Sequence, residues 1–449
     1  MALHTRIFVG LLIGAILGAA ANRYFTVPAN APDASTKDVG RNGLDDRLDN
    51  TVENFTEPGG KIFLRLILMV VVPLVFAALV LGVQGLGDLR RLGRLGIRTL
   101  LLTLTFSMAA VAIGVTLVNT IKPGASLSAE KRDALRAQYQ SGAAGHVQKA
   151  EQKKKLKDTL LDIIPENPLQ EAVGAVDGSS KGNGMLAVMF FALVFGAALT
   201  ILPAERVAPL VGLLEAIFDA CMIIIGWAMR IAPYAVALLV FSMTARLGAE
   251  ILRTLGWFIA TCIIGYAVHF FVVYPLAIRF LARMSPLEFF RKTSEATVTA
   301  FGTSSSNATL PTSLRVATDK LGIPREIAHF VLTVGATGNQ NGTALYEGVV
   351  VLFLAQVFGV DLTVGQQFTV MLMSVLAGVG TAGVPGGSLP LIVIVLHTVG
   401  VPGEGIAIIL GVDRILDMCR TVLNVVGDLA IATCVSGNTL KPSSSGVSH

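Results

Sequence analysis

Long apolar runs separated by shorter polar segments dominate this chain. Several runs are long enough to cross a bilayer as helices, because about 20 apolar residues span its hydrocarbon core. No small-residue cleavage site follows the first run, so we expect a retained helix there rather than a signal peptide. The pattern predicts helices at residues 5–25, 61–85, 99–119, 184–202, 207–242 (bent near Pro233), 250–281, 326–358 and 404–435.

Two further segments, residues 297–311 and 375–390, fit neither a spanning helix nor an ordinary loop. Each has an apolar arm, a tip of small and polar residues, and a Leu-Pro step into a second arm. Neither is long enough to cross twice, and lipid cannot satisfy the backbone of the tips. We therefore expect two re-entrant hairpins whose tips line a cavity, as in transporters built from inverted repeats. A flexible Ser/Gly linker is the alternative for either segment alone.

The composition agrees with a polytopic membrane protein. Of 449 residues, 53% are hydrophobic and only 14% are charged, whereas soluble domains carry about 25% charged residues. The net charge of +5 gives no indication of nucleic-acid binding. The four cysteines lie in apolar segments without metal-ligand spacing, so we expect free thiols.

Arginine-rich segments orient the predicted helices. They follow the second and sixth helices (Arg90, Arg279) and precede the seventh (Arg325), which places these segments and both termini in the cytoplasm. The lysine-rich stretch 124–160 then lies outside the cell. This does not conflict with the positive-inside rule, because long loops have little influence on membrane orientation. We expect a multi-pass protein of the inner (plasma) membrane.

The last predicted helix carries an unusual polar stripe. Spacings of 4, 3, 4 and 4 residues place five polar side chains on one helix face. Each ionisable group at membrane depth is unfavourable by about 3 kcal/mol or more and normally faces a partner or a substrate path. The stripe therefore predicts a binding site for a small charged solute, with a purely structural ion-pair network as the alternative. Its members are Asp413, Asp417, Arg420, Asn424 and Asp428.

A second polar interruption lies in the seventh predicted helix. Residues 335–343 contain glycines and two asparagines within an apolar run. Such residues favour local unwinding, which frees backbone carbonyls to coordinate a cation or a ligand.

At these motifs the chain resembles the glutamate transporter family, the dicarboxylate/amino acid:cation symporters. Four motifs match in order, and together they are highly specific. They are Ser304-Ser-Ser306 through Thr309-Leu-Pro311, Asn339-x-x-Gly-Thr-Ala-Leu-Tyr346, Gly380-Thr-Ala-Gly-Val-Pro385, and Asp417-x-x-Arg-Thr-x-x-Asn-x-x-x-Asp428.

The resemblance implies an all-α fold with eight transmembrane helices and two re-entrant helical hairpins, related by inverted repeats and assembled as a homotrimer. A transport domain would move like an elevator against a scaffold, with the second hairpin as the external gate. The implied division is scaffold at 1–85 and 161–249, transport domain at 86–123 and 250–437, an extracellular insert at 124–160, and a disordered tail at 438–449.

The resemblance also assigns roles in the site. Arg420 would bind the substrate's side-chain carboxylate as a planar fork, oriented by Asp413. Asp417 would accept the α-ammonium group. Thr421 would lie beside Asp417 at the ammonium group. Thr343 would help to close the site. The resemblance implies that the α-carboxylate is held by Asn424 and by backbone groups near Ser305, Gly383 and Val384.

Cation coupling departs from the family pattern. One sodium site would comprise Thr103, Phe106, Ser107 and Asn341, but Asn341 stands where sodium-driven members have Asp, and Phe106 is not a ligand. We therefore predict that this site is lost, because a hard cation needs oxygen ligands. A second site, formed by Asn339, Asn424 and Asp428, keeps its side-chain ligands. A third depends on backbone at Thr337 and residues 378–381.

Glu347 matches the proton-carrying position of proton-coupled members. A carboxyl group in an apolar helix can load and release a proton near neutral pH, although a structural glutamate is the alternative. His269, His329 and His397 are weaker candidates, because each lies near a predicted membrane edge.

We therefore predict a carrier of L-aspartate or L-glutamate, not an enzyme, with Na⁺ or H⁺ as the only candidate coupling ions and no other cofactor. The Asp417–Arg420 pair favours acidic amino acids, since a plain dicarboxylate would leave Asp417 unpaired and a neutral amino acid would leave Arg420 unpaired. The alternatives are a sodium-coupled C4-dicarboxylate or neutral amino acid symporter, and a substrate-gated anion channel. Ser304 to Ser306 could supply a hydrolase nucleophile, but neither hairpin tip contains a His or Lys to act as base.

Overall fold

The computed structural model describes residues 3–27, 37–38, 44–85, 94–128, 132, 164–177, 185–248, 250–380 and 388–437. The described residues form helices and turns, with one isolated antiparallel bridge between Thr26 and Leu44 as their only β pairing. The all-helical prediction is confirmed, and all four cysteines are free thiols. Gly383 and Val384, the tail 438–449 and nearly all of the insert 124–160 lie outside the described residues.

The first half of the chain follows the predicted helices, and several of them are longer than predicted. The predicted span 61–85 is the end of a longer helical stretch that begins at Asp46, passes through a π-helical turn at Val52–Thr56 and is interrupted at Val70. The helices are α1 (Leu3–Phe25), α2 (Asp46–Thr51), α3 (Glu57–Met69), α4 (Val71–Gly85), α5 (Arg94–Ile121), α6 (Pro168–Asp177), α7 (Met185–Ile201) and α8 (Ala204–Leu247).

The second half contains the helix pair α11–α12, the helices α15 and α16 on either side of residues 381–387, and a broken helix. As predicted, the seventh span is interrupted, at Asn339 and Gln340. π-Helical segments at His269–Val273 and Ile278–Ala282 continue the sixth span to residue 282. The helices are α9 (Glu250–Val268), α10 (Tyr274–Ala277), α11 (Pro286–Thr303), α12 (Ser306–Arg315), α13 (Arg325–Gly338), α14 (Asn341–Val357), α15 (Val364–Gly380), α16 (Leu389–Thr398) and α17 (Ala407–Ser436).

The predicted hairpin segment 297–311 falls within the helix pair α11–α12, and the segment 375–390 falls at the end of α15 and the start of α16, with residues 381–387 outside the described residues. In the first pair the chain reverses at Ser304, whose φ of 51° is left-handed, and the two helices pack against each other. The arms are longer than the sequence indicated, since α11 begins at Pro286 and a π-helical segment extends α12 to Lys320.

Among the described residues, five helices are long and apolar enough to cross a membrane, judged by length and composition. They are Thr5–Phe25, Leu95–Ser126, Ala204–Arg246, Glu250–Ala282 and Ala407–Ser436. The remaining predicted spans correspond to shorter or interrupted helices, such as the apolar Val72–Gln84 and Ala187–Ile201.

Helix α14 lies at the centre of the fold. Every one of its residues except Gln356 is buried, and it packs against α5, α15 and α17. A helix that is apolar on all sides is stable only inside a protein or a membrane. The break at Asn339 and Gln340 therefore opens in the interior, beside α17.

A glycine stripe joins α1 to the long helix α8. A Cβ atom at Gly10, Gly14 or Gly18 would fall against the backbone of Pro233, Ala237 or Phe241. Spacing of four residues between small residues permits this close approach of two helices.

Candidate functional site

The polar stripe of α17 is buried along its whole length. Asp413, Asp417, Arg420, Asn424 and Asp428 retain between 2% and 6% of their exposure. Ionisable groups at this depth require partners. The geometry of those partners defines the site.

Arg420 is fixed on three sides. Its Nε donates to Asp417 Oδ1 at 2.9 Å and its Nη1 to Asp413 Oδ1 at 3.2 Å. The guanidinium lies 4.6 Å from the centre of the Tyr346 ring, a cation–π contact. Asp413, which the resemblance pairs with Arg420, is thus hydrogen-bonded to it, and Tyr346 is a contact that the stripe did not reveal.

Asp417 has a second guanidinium partner that the sequence analysis missed. Arg414 Nη1 donates to Asp417 Oδ2 at 3.2 Å, so each carboxylate oxygen accepts from a different arginine. Thr421 Oγ1 donates to the backbone carbonyl of Asp417 at 2.8 Å rather than to its carboxylate. The spacing of three residues between Arg414 and Asp417 was the available signal.

Asn424 connects α17 to the break before α14. Its Nδ2 donates to Gln340 Oε1 and, at 3.3 Å, to Thr343 Oγ1. Its Oδ1 accepts from the backbone N–H of Gly342 at 2.8 Å. The structure thus brings together Asn424 and Thr343, both predicted for the substrate site, and adds Gln340 to them.

Asp428 and Asn339 form the next contact along the stripe. Asn339 Nδ2 donates to Asp428 Oδ1 at 2.7 Å, while Asn339 Oδ1 is buried without a hydrogen-bond partner among the described residues. A Cβ atom at Gly335 would collide with the Asp428 carboxylate, so this approach needs glycine. Two ligands of the second predicted cation site are therefore adjacent, whereas Asn424 points toward Gln340 and Gly342.

Two residues of the predicted lost sodium site, Asn341 and Phe106, contact a tyrosine. Tyr274 Oη lies 3.1 Å from Asn341 Oδ1 and 2.8 Å from the Leu423 carbonyl oxygen, and can donate to either. The Phe106 ring packs 5.6 Å from the Tyr274 ring, centre to centre. Thr103 and Ser107 are buried on the same helix, α5. The loss of this site stays a prediction, and Tyr274 contacts both Asn341 and Phe106.

Glu347 is completely buried on α14, directly after Tyr346. Neither of its carboxylate oxygens has a hydrogen-bond partner among the described residues. His269 is also fully buried, and its ring meets the Tyr274 ring edge-on at 4.8 Å. His269 is thus internal rather than interfacial, while His329 is exposed and His397 is half-buried.

The tip of the first hairpin is capped by Ser305. Its Oγ accepts from the Ala308 backbone N–H at 3.2 Å, an N-cap of α12. The hydroxyls of Ser304 and Ser306 are buried without a partner in the described part of the chain. Such unpaired groups are typical of a site that a ligand completes.

Comparison with known proteins places the chain in a family. Residues 3–438 match the model of the sodium:dicarboxylate symporter family. The chain is 32% identical over 437 residues to a proton/sodium-glutamate symport protein of Bacillus subtilis, covering 97% of this chain and 92% of that protein. It is 34% identical over 393 residues to a proton/glutamate-aspartate symporter of Escherichia coli, covering 87% and 86%.

A neutral amino acid transporter B(0) of Bos taurus is 32% identical over 401 residues, with 84% of this chain and 72% of that protein covered. Sequence identity at this level therefore establishes that the protein is a transporter of this class, but it does not establish which amino acid is transported. These relatives are membrane transporters and not enzymes, which agrees with the apolar helices and the buried polar stripe. The chain belongs to the sodium:dicarboxylate symporter family.

Proposed function

We propose that the protein is a secondary active transporter of acidic amino acids, L-aspartate or L-glutamate. The observation that carries the proposal is the buried Arg420, held in one plane by Asp413 and Asp417. A guanidinium fixed in this way can pair with a substrate carboxylate through two parallel hydrogen bonds. Two of the relatives compared above are named for glutamate or aspartate transport.

The transport cycle proposed is an elevator movement within a homotrimer of the inner membrane, with both termini cytoplasmic. The scaffold would comprise residues 1–85 and 161–249, and the moving domain residues 86–123 and 250–437. Two packing patterns support this division. The helix α1 packs extensively on α8, within the scaffold, and α14 packs extensively on α5, within the moving domain.

Sodium coupling is proposed to be reduced or absent. The site at Asn341 contains an amide, a tyrosine hydroxyl and a phenyl ring, none of which carries the negative charge that favours a hard cation. Asn339 and Asp428 could still hold one sodium ion, because the unpartnered Asn339 Oδ1 lies on the side chain that binds Asp428.

Glu347 is the proposed proton carrier. A buried carboxyl group without hydrogen-bond partners is tolerated as the neutral acid and is very unfavourable as an anion. Glu347 directly follows Tyr346, whose ring lies 4.6 Å from the Arg420 guanidinium, so Glu347 lies near the proposed substrate-binding charge. Substrate arriving at Arg420 would therefore alter the field at Glu347, which links proton loading to substrate binding.

A neutral amino acid transporter is the alternative that the Bos taurus relative favours. Against it, a neutral side chain would leave Arg420 without a substrate partner. A substrate-gated anion channel would give currents that rise in proportion to voltage without saturating, whereas a carrier saturates and shows counterflow.

Uptake of labelled L-aspartate into proteoliposomes tests the proposal, in choline or sodium buffer and with or without an inward proton gradient. Proton-driven uptake in choline is expected. A strict sodium requirement would overturn the coupling assignment, and exchange indifferent to both gradients would overturn Glu347 as carrier. No aspartate transport in any buffer would overturn the proposed substrate.

The variant Glu347→Gln mimics the protonated acid. We expect it to lose proton-driven uptake while keeping aspartate exchange. Glu326→Gln, at an exposed position at the start of α13, is the matched control. Retention of proton-driven uptake in Glu347→Gln would exclude Glu347 as the carrier.

A further inference from the structure

The helix α5 and the sixth span (α9 and α10) pack side by side and run in opposite directions. Just after α5 ends, Ser126 Oγ lies 2.8 Å from Thr254 Oγ1 in the first turns of α9. Further along, the Phe106 ring packs 5.6 Å from the Tyr274 ring, centre to centre. The beginning of α5 therefore lies beside the end of the sixth span.

Three exposed arginines lie at this shared end, and they are called the basic rim here: Arg98, Arg279 and Arg283. Within the described part of the chain, none of the three forms a salt bridge or a side-chain hydrogen bond. The sequence contains no Asp or Glu at residues 94–121 or 251–287. The next acid along the chain, Glu288, is already paired with Lys292 at 2.8 Å. The basic rim thus carries positive charge that these helices do not neutralise.

An exposed apolar surface borders the basic rim on both helices. Ile97 and Leu101 on α5 are more than half exposed, and so are Phe280 and Leu281 at the end of the sixth span. Residues three or four positions apart share one face of a helix, so Leu101 lies on the same face as Arg98. An apolar surface with a cationic edge is complementary to an amphiphile that has hydrocarbon chains and an anionic headgroup.

We propose that the basic rim and the apolar surface beside it form a binding site for an anionic phospholipid. The lipid phosphate would bind the arginines, because a guanidinium can donate two parallel hydrogen bonds to phosphate oxygens. The acyl chains would cover Ile97, Leu101, Phe280 and Leu281. Three uncompensated positive charges favour an anionic headgroup, since a zwitterionic lipid brings its own cation to the rim. The proposal is independent of the substrate and of the coupling ion, so it can fail while the proposed function stands.

The first test is thermal unfolding of the purified protein in a neutral detergent with added lipid. Phosphatidylglycerol is compared with phosphatidylcholine of the same acyl chains, and glycerol phosphate supplies the headgroup without chains. We expect phosphatidylglycerol to stabilise the protein at concentrations about tenfold or more below those of phosphatidylcholine, because each arginine near a membrane surface favours an anionic lipid by roughly fivefold. High salt should reduce this preference.

Two outcomes of this experiment would overturn the proposal. Equal stabilisation by the two lipids would mean that the basic rim does not select the headgroup. Stabilisation by glycerol phosphate at the same concentrations as by phosphatidylglycerol would mean that the arginines bind a soluble phosphate and that the apolar surface takes no part.

The second test is the double variant Arg279→Gln/Arg283→Gln. Its preference for phosphatidylglycerol over phosphatidylcholine should fall by about tenfold or more, because two of the three charges are lost. The double variant Arg279→Lys/Arg283→Lys keeps both charges and should keep the preference within about threefold. Arg253→Gln, at an exposed position in the first turn of α9 and at the opposite end of the span, is the matched control.

The unfolding temperature in detergent alone shows whether each variant folds normally. An unchanged lipid preference in a normally folded Arg279→Gln/Arg283→Gln protein would overturn the proposal. A smaller oligomer in that variant, measured by light scattering without added lipid, would also overturn it, because the surface would then be a contact between copies of this chain.

Discussion

The two longest helices, α8 and α17, differ in opposite directions in hydropathy and in burial. In α8 the most apolar stretch has a mean hydropathy of 2.1 and only 17% of it is buried, whereas in α17 the values are 1.5 and 83%. The more apolar helix is thus largely exposed, and the more polar helix is largely buried. A water-soluble protein would show the reverse order.

The difference follows from the solvent. Trp227 and Tyr234 on α8 are 59% and 75% exposed, which is acceptable where the surroundings are lipid tails or another copy of the chain. Exposure of Arg420, Asp413 and Asp417 to lipid would be unfavourable in free energy, so the fold buries them against α14. In this protein a buried polar helix indicates function, and an exposed apolar helix indicates a membrane or subunit surface.

The largest expected effect comes from removing Arg420. Arg420→Ala removes the guanidinium proposed to bind the substrate carboxylate, and truncating one partner of a buried charge pair costs roughly 2–5 kcal/mol of binding, so aspartate affinity should fall about 100-fold. Arg230→Ala removes an exposed arginine of α8 and should change affinity less than about threefold. Calorimetric titration with aspartate measures both. Unchanged affinity in Arg420→Ala would overturn the site.

Much of the contrast between α8 and α17 could be predicted from the sequence, because it depends on the local pattern of apolar and polar residues. The spacing of Asp413, Asp417 and Arg420 placed them on one face, and the asparagines at 339 and 341 marked the break in the seventh span. Helix length and residue type decide both features without help from distant residues.

The contacts between helices could not be predicted in this way. Tyr274 is 149 residues from Leu423, whose carbonyl it contacts, and no periodicity links them. The pairing of Arg414 with Asp417 was within reach of helical spacing, but an arginine at that position could equally have pointed to the membrane surface. The packing of the neighbouring helices determines the orientation of the Arg414 side chain.

The next largest effect concerns the surface where α1 meets α8. Gly14→Ala would place a Cβ atom against the Ala237 backbone, so we expect a loss of about 1–3 kcal/mol in stability. Gly226 on α8 has nothing within 4 Å of such an atom, so Gly226→Ala should be neutral or stabilising by about 0.5–1 kcal/mol. Thermal unfolding in detergent measures both. Equal effects would mean that α1 and α8 do not touch as described.

A smaller effect is expected at the predicted lost sodium site. Asn341→Asp adds a carboxylate beside Tyr274, which should destabilise the protein in choline and create affinity for sodium. At sodium concentrations tenfold above the new dissociation constant, the recovery would be about 1.4 kcal/mol. The variant Asn341→Ala should be less stable than the unmodified protein by the same amount in sodium and in choline. Thermal unfolding in sodium and in choline distinguishes them, and identical behaviour of the two variants would mean that the missing charge is not what abolishes this site.

The smallest effect compares two tyrosines. Tyr274 contacts Asn341 and the Leu423 carbonyl from a fully buried position, whereas Tyr234 on α8 is 75% exposed. Tyr274→Phe should cost about 1 kcal/mol, because a buried acceptor loses its donor, and Tyr234→Phe should cost close to nothing. Urea or thermal unfolding of the two variants under identical conditions measures the difference. If Tyr234→Phe proved the more harmful, its hydroxyl would have a partner in a neighbouring subunit or at the lipid headgroups, and the exposed face of α8 would then be an interface held by polar contacts as well as by apolar area.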